Sequence, residues 1–188
     1  LTAEVLQAKE NIAAEGKDVA MKTVTAEKDL TLTAANSLKA ADKLTAGGNI
    51  TASSANGNID IAAAEAKGGI DLKATNGKLT AAVLQAQGSI AAAGKDVEMK
   101  QQVIAGKDLT LKAAKSLTTA DKLSADQNMT LTGSDVTTQK QVTAEKDLTL
   151  TAANSLTTAD EVSAANITLA GGDITTAKTV NARNDLTL

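Results

Sequence analysis

The chain has 188 residues, 19 basic and 22 acidic side chains, a formal net charge of −3, and not one Phe, Trp, Tyr, Cys, Pro or His. Interspersed charge with no aromatic to stack on bases argues against nucleic-acid binding. The lack of Cys excludes disulfides and thiolate metal sites, and no stretch reaches the roughly 18 apolar residues that a membrane span needs. Without aromatic rings, apolar mass must come from Leu, Ile, Val, Met and many Ala, which predicts a narrow interior built in thin layers.

The chain begins mid-pattern at Leu1, with no initiator Met and no signal peptide, and reads as a piece of something longer. Leu1–Glu15 is Ala-rich and would suit a helix by propensity. A repeat overrides that reading. The apolar residue opening each LTL-like element falls at Ile12, Leu30, Ile50, Ile70, Ile90, Leu109, Met129, Leu148, Ile167 and Leu186, in steps of 18 to 20 residues. Two residues later stands a second apolar residue, with Thr most often between them. This in–out–in alternation predicts a strand.

Two more registers run alongside. One is Val19, Leu38, Ile59, Leu79, Val97, Leu117, Val136, Leu156 and Ile174. The other is Leu6, Val24, Leu44, Ala64, Leu84, Val103, Leu123, Val142, Val162 and Val180. Two residues after each member of this last series comes Ala, from Ala8 through Ala105 and Ala144 to Ala182. One interior corner therefore has room only for a methyl group. Turn formers precede the strands: Asn11, Asp29, Asn49, Gly69, Ser89, Asp108, Asn128, Asp147, Asn166 and Asp185 before the first register. Asp18, Ser37, Asn58, Lys78, Asp96, Ser116, Asp135, Ser155 and Asp173 precede the second, where only Lys78 breaks the rule. These residues bond locally to backbone or accept left-handed dihedrals.

Three short strands per 19–20 residues, each closed by a turn, predict an all-β parallel β-helix (a β-solenoid) of about ten coils. Regular spacing of Leu, Ile and Val sets it apart from a disordered tract. At ~4.8 Å per coil the rod would be roughly 45–50 Å long. No linker divides it, so residues 1–188 form one repeat domain. Two places look irregular. Ala62–Gly69 (AAAEAKGG) carries only small residues, with Ala64 in the third register, so that coil should be thin and fray first. Val103 and Ile104 are adjacent apolar residues, so one must face out or a bulge must form.

Parallel β-helices include polysaccharide-processing enzymes, which need acids and a base converging on one groove. Here Asp29, Asp108, Asp147 and Asp185 lie in one turn column and Asp18, Asp96, Asp135 and Asp173 in another, with the sole Arg, Arg183, in the last coil. Solvated turn residues are the better reading, and no catalytic, cofactor or metal residue is assigned. Gly171–Gly172–Asp173 hints once at a Ca²⁺ nonapeptide array, which needs many copies. Asn49, Asn128 and Asn166 open Asn-x-Thr triplets because a turn Asn precedes Ile-Thr or Met-Thr in this repeat, so glycosylation need not be invoked. Outward Thr-x-Thr pairs at Leu30–Thr33, Met129–Thr132 and Leu148–Thr151 would suit ice or crystal binding. Asp71 and Lys73 interrupt that ladder, and strand propensity alone selects Thr.

The stretches KDLTLTAANSL, GGNITASSANGNIDI and GGDITTAKTV resemble the repeats of filamentous haemagglutinin and, equally, the repeat region of CdiA contact-dependent growth inhibition exoproteins. Both belong to the two-partner secretion family of Gram-negative bacteria. The resemblance covers essentially the whole chain. It implies a right-handed, triangular β-helix within a long secreted filament at the cell surface. It implies export through an outer-membrane transporter that recognises a separate N-terminal domain, which no part of this chain resembles. It carries over no catalytic residue. The expected role is that of a stiff spacer presenting adhesive or toxin-bearing regions. A direct adhesin surface for a host or neighbour-cell receptor is the alternative. Apolar strand patterns at Leu1 and Leu188, with no capping helix, also predict end-to-end association of the isolated segment. The fifteen residues Val24–Leu38 recur letter for letter at Val142–Leu156, 118 residues on. Laid on the registers, they are one sample of the coil.

Overall fold

The computed structural model describes residues 1–188 as 21 strands and no helix, all paired in parallel. The Ala-rich start is strand (Thr2–Ala8 and Ile12–Gly16), because its apolar residues have partners in the next coil. All three sequence registers are realised residue by residue. Ile12 pairs with Leu30, Leu30 with Ile50, and so on to Ile167 with Leu186. Val19 leads through Leu38 and Ile59 to Ile174, and Leu6 through Val24 to Val180. The result is a parallel β-solenoid of about ten turns, about 19 residues apart.

The interior is one aliphatic cluster of 49 buried residues running along the axis. Each strand turns alternate residues inward, so a coil contributes a thin layer that is covered only by its neighbours. The alanine column is interior, from Ala26 to Ala164. Of the adjacent pair, Val103 faces in and Ile104 faces out. Ile104 pairs in register with Gln85 and Ser124, so no bulge forms.

The corner between the second and third strands shows a size pattern. Its two inner positions are Ala3 with Leu6, Met21 with Val24, Ala40 with Leu44, Ile61 with Ala64, Ala81 with Leu84, and Met99 with Val103. Large faces small within each coil and alternates along each column, where Ile61 lies between Ala40 and Ala81, and Ala64 between Leu44 and Leu84. Within each coil, this pairing of large with small fills the corner at close-packed density. It also corrects the expected thinness near Ala64. Ile61 supplies the missing volume, and both residues are buried. The less covered layers are the terminal ones, where Leu6, Ile12 and Val180 are only partly buried and Val5, Leu186 and Leu188 are exposed.

From Val103 onward the third strand stands apart as three-residue pieces, such as Leu123–Ala125 and Val142–Ala144. In this half the inner corner position becomes Thr119, Thr138 and Thr158, stacked in register and buried. Their hydroxyls have no hydrogen-bond partner. A buried polar group without a partner costs about 1–3 kcal/mol. Thr138→Val, which keeps the shape and removes the hydroxyl, is therefore expected to raise stability by about 1 kcal/mol or more. A lower urea midpoint for this variant would show that the hydroxyl is satisfied after all.

Candidate functional site

The most ordered polar features are the two turn columns. Backbone geometry does not explain their composition, because no residue, glycine included, has positive φ. Their side chains act between coils. Asn11 Oδ1 accepts the Asp29 N–H at 3.0 Å, Asp29 Oδ1 the Asn49 N–H at 2.7 Å, and Asn49 Oδ1 the Gly69 N–H at 2.8 Å. Ser89, Asp108, Asn128 and Asn166 continue the ladder, which Gly69 interrupts because it has no acceptor. In the second column Asp18, Asn58 and Asp96 accept from Ser37, Lys78 and Ser116. Local side-chain bonds occur outside these columns, at Asp121 and Asp160, each accepting the next N–H, and between Ser54 and Gly57.

Neither column ever stacks Asp on Asp. Asp29, Asp108 and Asp147 are each followed by an Asn whose amide donates back to the carboxylate. Carboxylates one strand spacing apart would repel by about 1 kcal/mol even at the dielectric of water. Asn128→Asp would place three in a row, Asp108 and Asp147 on either side, and remove the hydrogen bond that the Asn128 amide donates to Asp108. A loss of about 1–2 kcal/mol is expected at low ionic strength, shrinking as salt is added. Salt-independent stability of the variant would show that the alternation has no electrostatic basis.

The alternation in the second column follows corner length. A five-residue step from the first strand's last core residue to the second register ends in Asp, as at Ala92–Val97 and Leu131–Val136. It carries Gly94 or Gly133 at its start, because a Cβ there would lie 3.0 or 2.9 Å from the carbonyl oxygen of Asp96 or Asp135. A six-residue step, as at Leu32–Leu38 and Leu150–Leu156, starts with Ala and ends in Ser. Two seven-residue steps, Ala52–Ile59 and Leu72–Leu79, contain Asn-Gly. Counting between registers would have exposed this rule from sequence; register order alone hides it.

Hydrogen bonds from Ser37, first through its hydroxyl and then its backbone N–H, hold the Asp18 carboxyl below its ordinary value. A lowered folded-state pKa gives stability that is present above the unfolded carboxylate pKa and is lost as pH falls through the folded one. Lys78 acts likewise on Glu98, and Lys178 on Asp160. Ser37→Ala is expected to move the Asp18 titration upward and acid unfolding to higher pH. A carboxyl titration by NMR that is unchanged in the variant would remove the hydroxyl as the cause.

The residues weighed for catalysis are spread out. The Asp columns occupy two different corners. Arg183 binds Glu145, through its carbonyl oxygen and, at 3.4 Å, its carboxylate. Gly171–Gly172–Asp173 forms one five-residue corner, and no three acidic side chains converge on a metal-sized site. The triplet asparagines Asn49, Asn128 and Asn166 spend their amide nitrogens on Asp29, Asp108 and Asp147, which holds back the atom a glycan would need.

One concavity stands out, an open groove of about 720 Å³ across several coils of the third face. Outward Thr45, Glu65, Gln85 and Ile104 form its floor, and Glu27, Lys67, Gln87 and Asp126 its rim. Gly47 and Gly106 line the groove where the coils approach so closely that a Cβ would meet the Glu27 or Gln87 carbonyl oxygen. Ile104 gives the otherwise polar floor an apolar spot. Amides and carboxylates here can bond hydroxyl or amino groups, but the groove has no nucleophile paired with a base.

Taken together, coils in continuous register, turn ladders and an aliphatic axis define a structural β-solenoid repeat. The profile of the haemagglutinin repeat matches residues 5–64, 55–98, 101–157 and 132–188, and the chain belongs to that family. The family suggests a repeat segment of a filamentous haemagglutinin-like secreted protein, a structural, adhesin-type class typical of secreted or cell-surface proteins of Gram-negative bacteria. Comparisons with curated proteins and with solved structures each returned no match.

Proposed function

We propose that this segment is a stiff spacer in a long surface filament, holding an adhesive or toxin-bearing region away from the cell. The observation that carries this reading is the parallel pairing of coil on coil around one core cluster, with the register shifting only at corners such as Ala74–Lys78 and Gly133–Asp135. Each coil templates the next, which suits export as an unfolded chain through an outer-membrane partner followed by folding outside. Removal of whole coils from the full-length protein tests it. Deleting residues 109–147 joins Asp108 to Leu148 in register, keeps Asp beside Asn and Ser in the two turn columns, and shortens the rod by two coils, about 9.6 Å. A spacer loses reach in proportion to the coils removed and recovers with a foreign rod of equal length.

The groove around Ile104 favours a second reading, direct adhesion through the third face. That reading requires saturable binding of the isolated chain to target cells, abolished by Ile104→Asp. It also requires that no foreign rod restore function.

A further inference from the structure

The two Asn-Gly corners stack directly, one coil apart, yet differ in chemistry. At Asn56–Gly57 the Asn side chain is exposed and has no hydrogen-bond partner, while its backbone is fixed by the Asn56 N–H to the Ala35 carbonyl at 3.0 Å. The Gly57 N–H points at Ser54 Oγ, 3.3 Å away. Ser54 is itself unusual. It is 1% exposed, and the equivalent position is Gly or Ala in every other coil: Gly16, Ala34, Ala74, Gly94, Ala113, Gly133. Its one hydroxyl hydrogen lies between two acceptors, the Asn36 carbonyl and the Gly57 carbonyl at 3.0 Å, and its lone pairs face the Gly57 N–H. At Asn76–Gly77 the same place holds Ala74, and Asn76 Nδ2 is tied to the Ala55 carbonyl at 2.9 Å. Gly77 is buried against the Gly57 carbonyl.

We propose that Asn56–Gly57 is a self-modification site, with Ser54 as its positioning residue, and that Asn76–Gly77 is a protected twin. The Gly57 nitrogen gives up its proton and attacks Asn56 Cγ. A C–N bond forms, the Cγ–Nδ2 bond breaks, and the amide nitrogen leaves as ammonia with the proton. Water then opens the five-membered imide at either carbonyl, giving aspartate or an isoaspartyl linkage. The balance is amide plus water to carboxylic acid plus ammonia, with no oxidant or cofactor. Glycine suits the step because its nitrogen is unhindered and its backbone is permissive. The hydroxyl of Ser54 accepts the Gly57 N–H and polarises it, which eases the loss of its proton. The new charge is tolerated because Asn36 and Asn76 flank position 56 and no carboxylate adjoins it in that corner column. The isoaspartyl form would lengthen a corner already packed against Asn36 and so loosen this coil.

The test is ageing of the folded chain at mildly alkaline pH, followed by peptide mapping and isoaspartyl methyl-transfer labelling. Asn56 is expected to convert several-fold faster than Asn76. Ser54→Ala, which installs the residue that Ala34 and Ala74 already place in neighbouring coils, is expected to slow Asn56 while leaving Asn76 unchanged. Loss of packing alone would instead speed Asn56. Equal rates at the two asparagines, or a Ser54→Ala variant as fast as the parent or faster, would overturn the proposal.

Discussion

Ile61→Ala is expected to cost about 4–5 kcal/mol, the upper end for a large-to-small change in a core. The reason is its surroundings. Within its coil the facing position is Ala64, and the neighbours along its own column are Ala40 and Ala81. None can reach into the space, so the cavity persists, and cost grows with the cavity that remains. The decisive comparison is the double variant Ile61→Ala with Ala64→Leu. It reproduces the Ala81–Leu84 arrangement of the next coil, but sets Leu between Leu44 and Leu84 and Ala between Ala40 and Ala81. Coil volume is restored while the alternation along the column is lost. Most of the stability should return, read from urea midpoints and from hydrogen exchange of Ile59–Ala66. If the double variant is no better than the single, volume is not what the pair exchanges. Non-additivity between residues sharing a cavity is the expected signature.

Ala105→Leu is expected to cost about 1–3 kcal/mol or more, by overpacking. Ala105 is fully buried and stacked between Ala86 and Ala125. Those flanking methyls belong to a column in which every coil has Ala, so no neighbour can shrink to make room. The backbone cannot retreat easily either, since the Gly106 N–H bonds the Ala86 carbonyl at 2.9 Å as the chain turns. Ala144→Leu should behave the same way, because Ala144 lies in register with Ala125. An unchanged thermal midpoint for either variant would mean that the corner holds unfilled space. Contrast with Ile61 makes the pair informative. One corner alternates large and small and accepts exchange, while the other is uniform and accepts nothing larger.

Much of the fold was legible because a solenoid converts periodicity into contact. Once Leu30, Ile50 and Ile70 share a register, their pairing follows, and so does the inward side of every strand. The alanine corner was legible for the same reason. The turn columns were only half legible. Asp29 and Asn49 could be recognised as turn residues, but single-chain turn chemistry suggested local bonds, whereas their acceptors serve the next coil. The candidate groove was not legible at all. It depends on which outward side chains lie side by side, and a linear pattern does not show that.

Sequence by itself determined the repeat length and the three inward registers. These are one-dimensional properties of spacing and residue type. Tertiary structure alone decided how residues some twenty positions apart share volume, charge and hydrogen bonds. Ile61 compensates for Ala64 across a corner. Asn128 separates two carboxylates along a column, and Ser54 lies under one Asn-Gly pair but not under its twin. In a stacked coil the nearest neighbour in space is a full period away along the chain. Energies there are set by a pairing that the period implies but that only the folded coil makes specific.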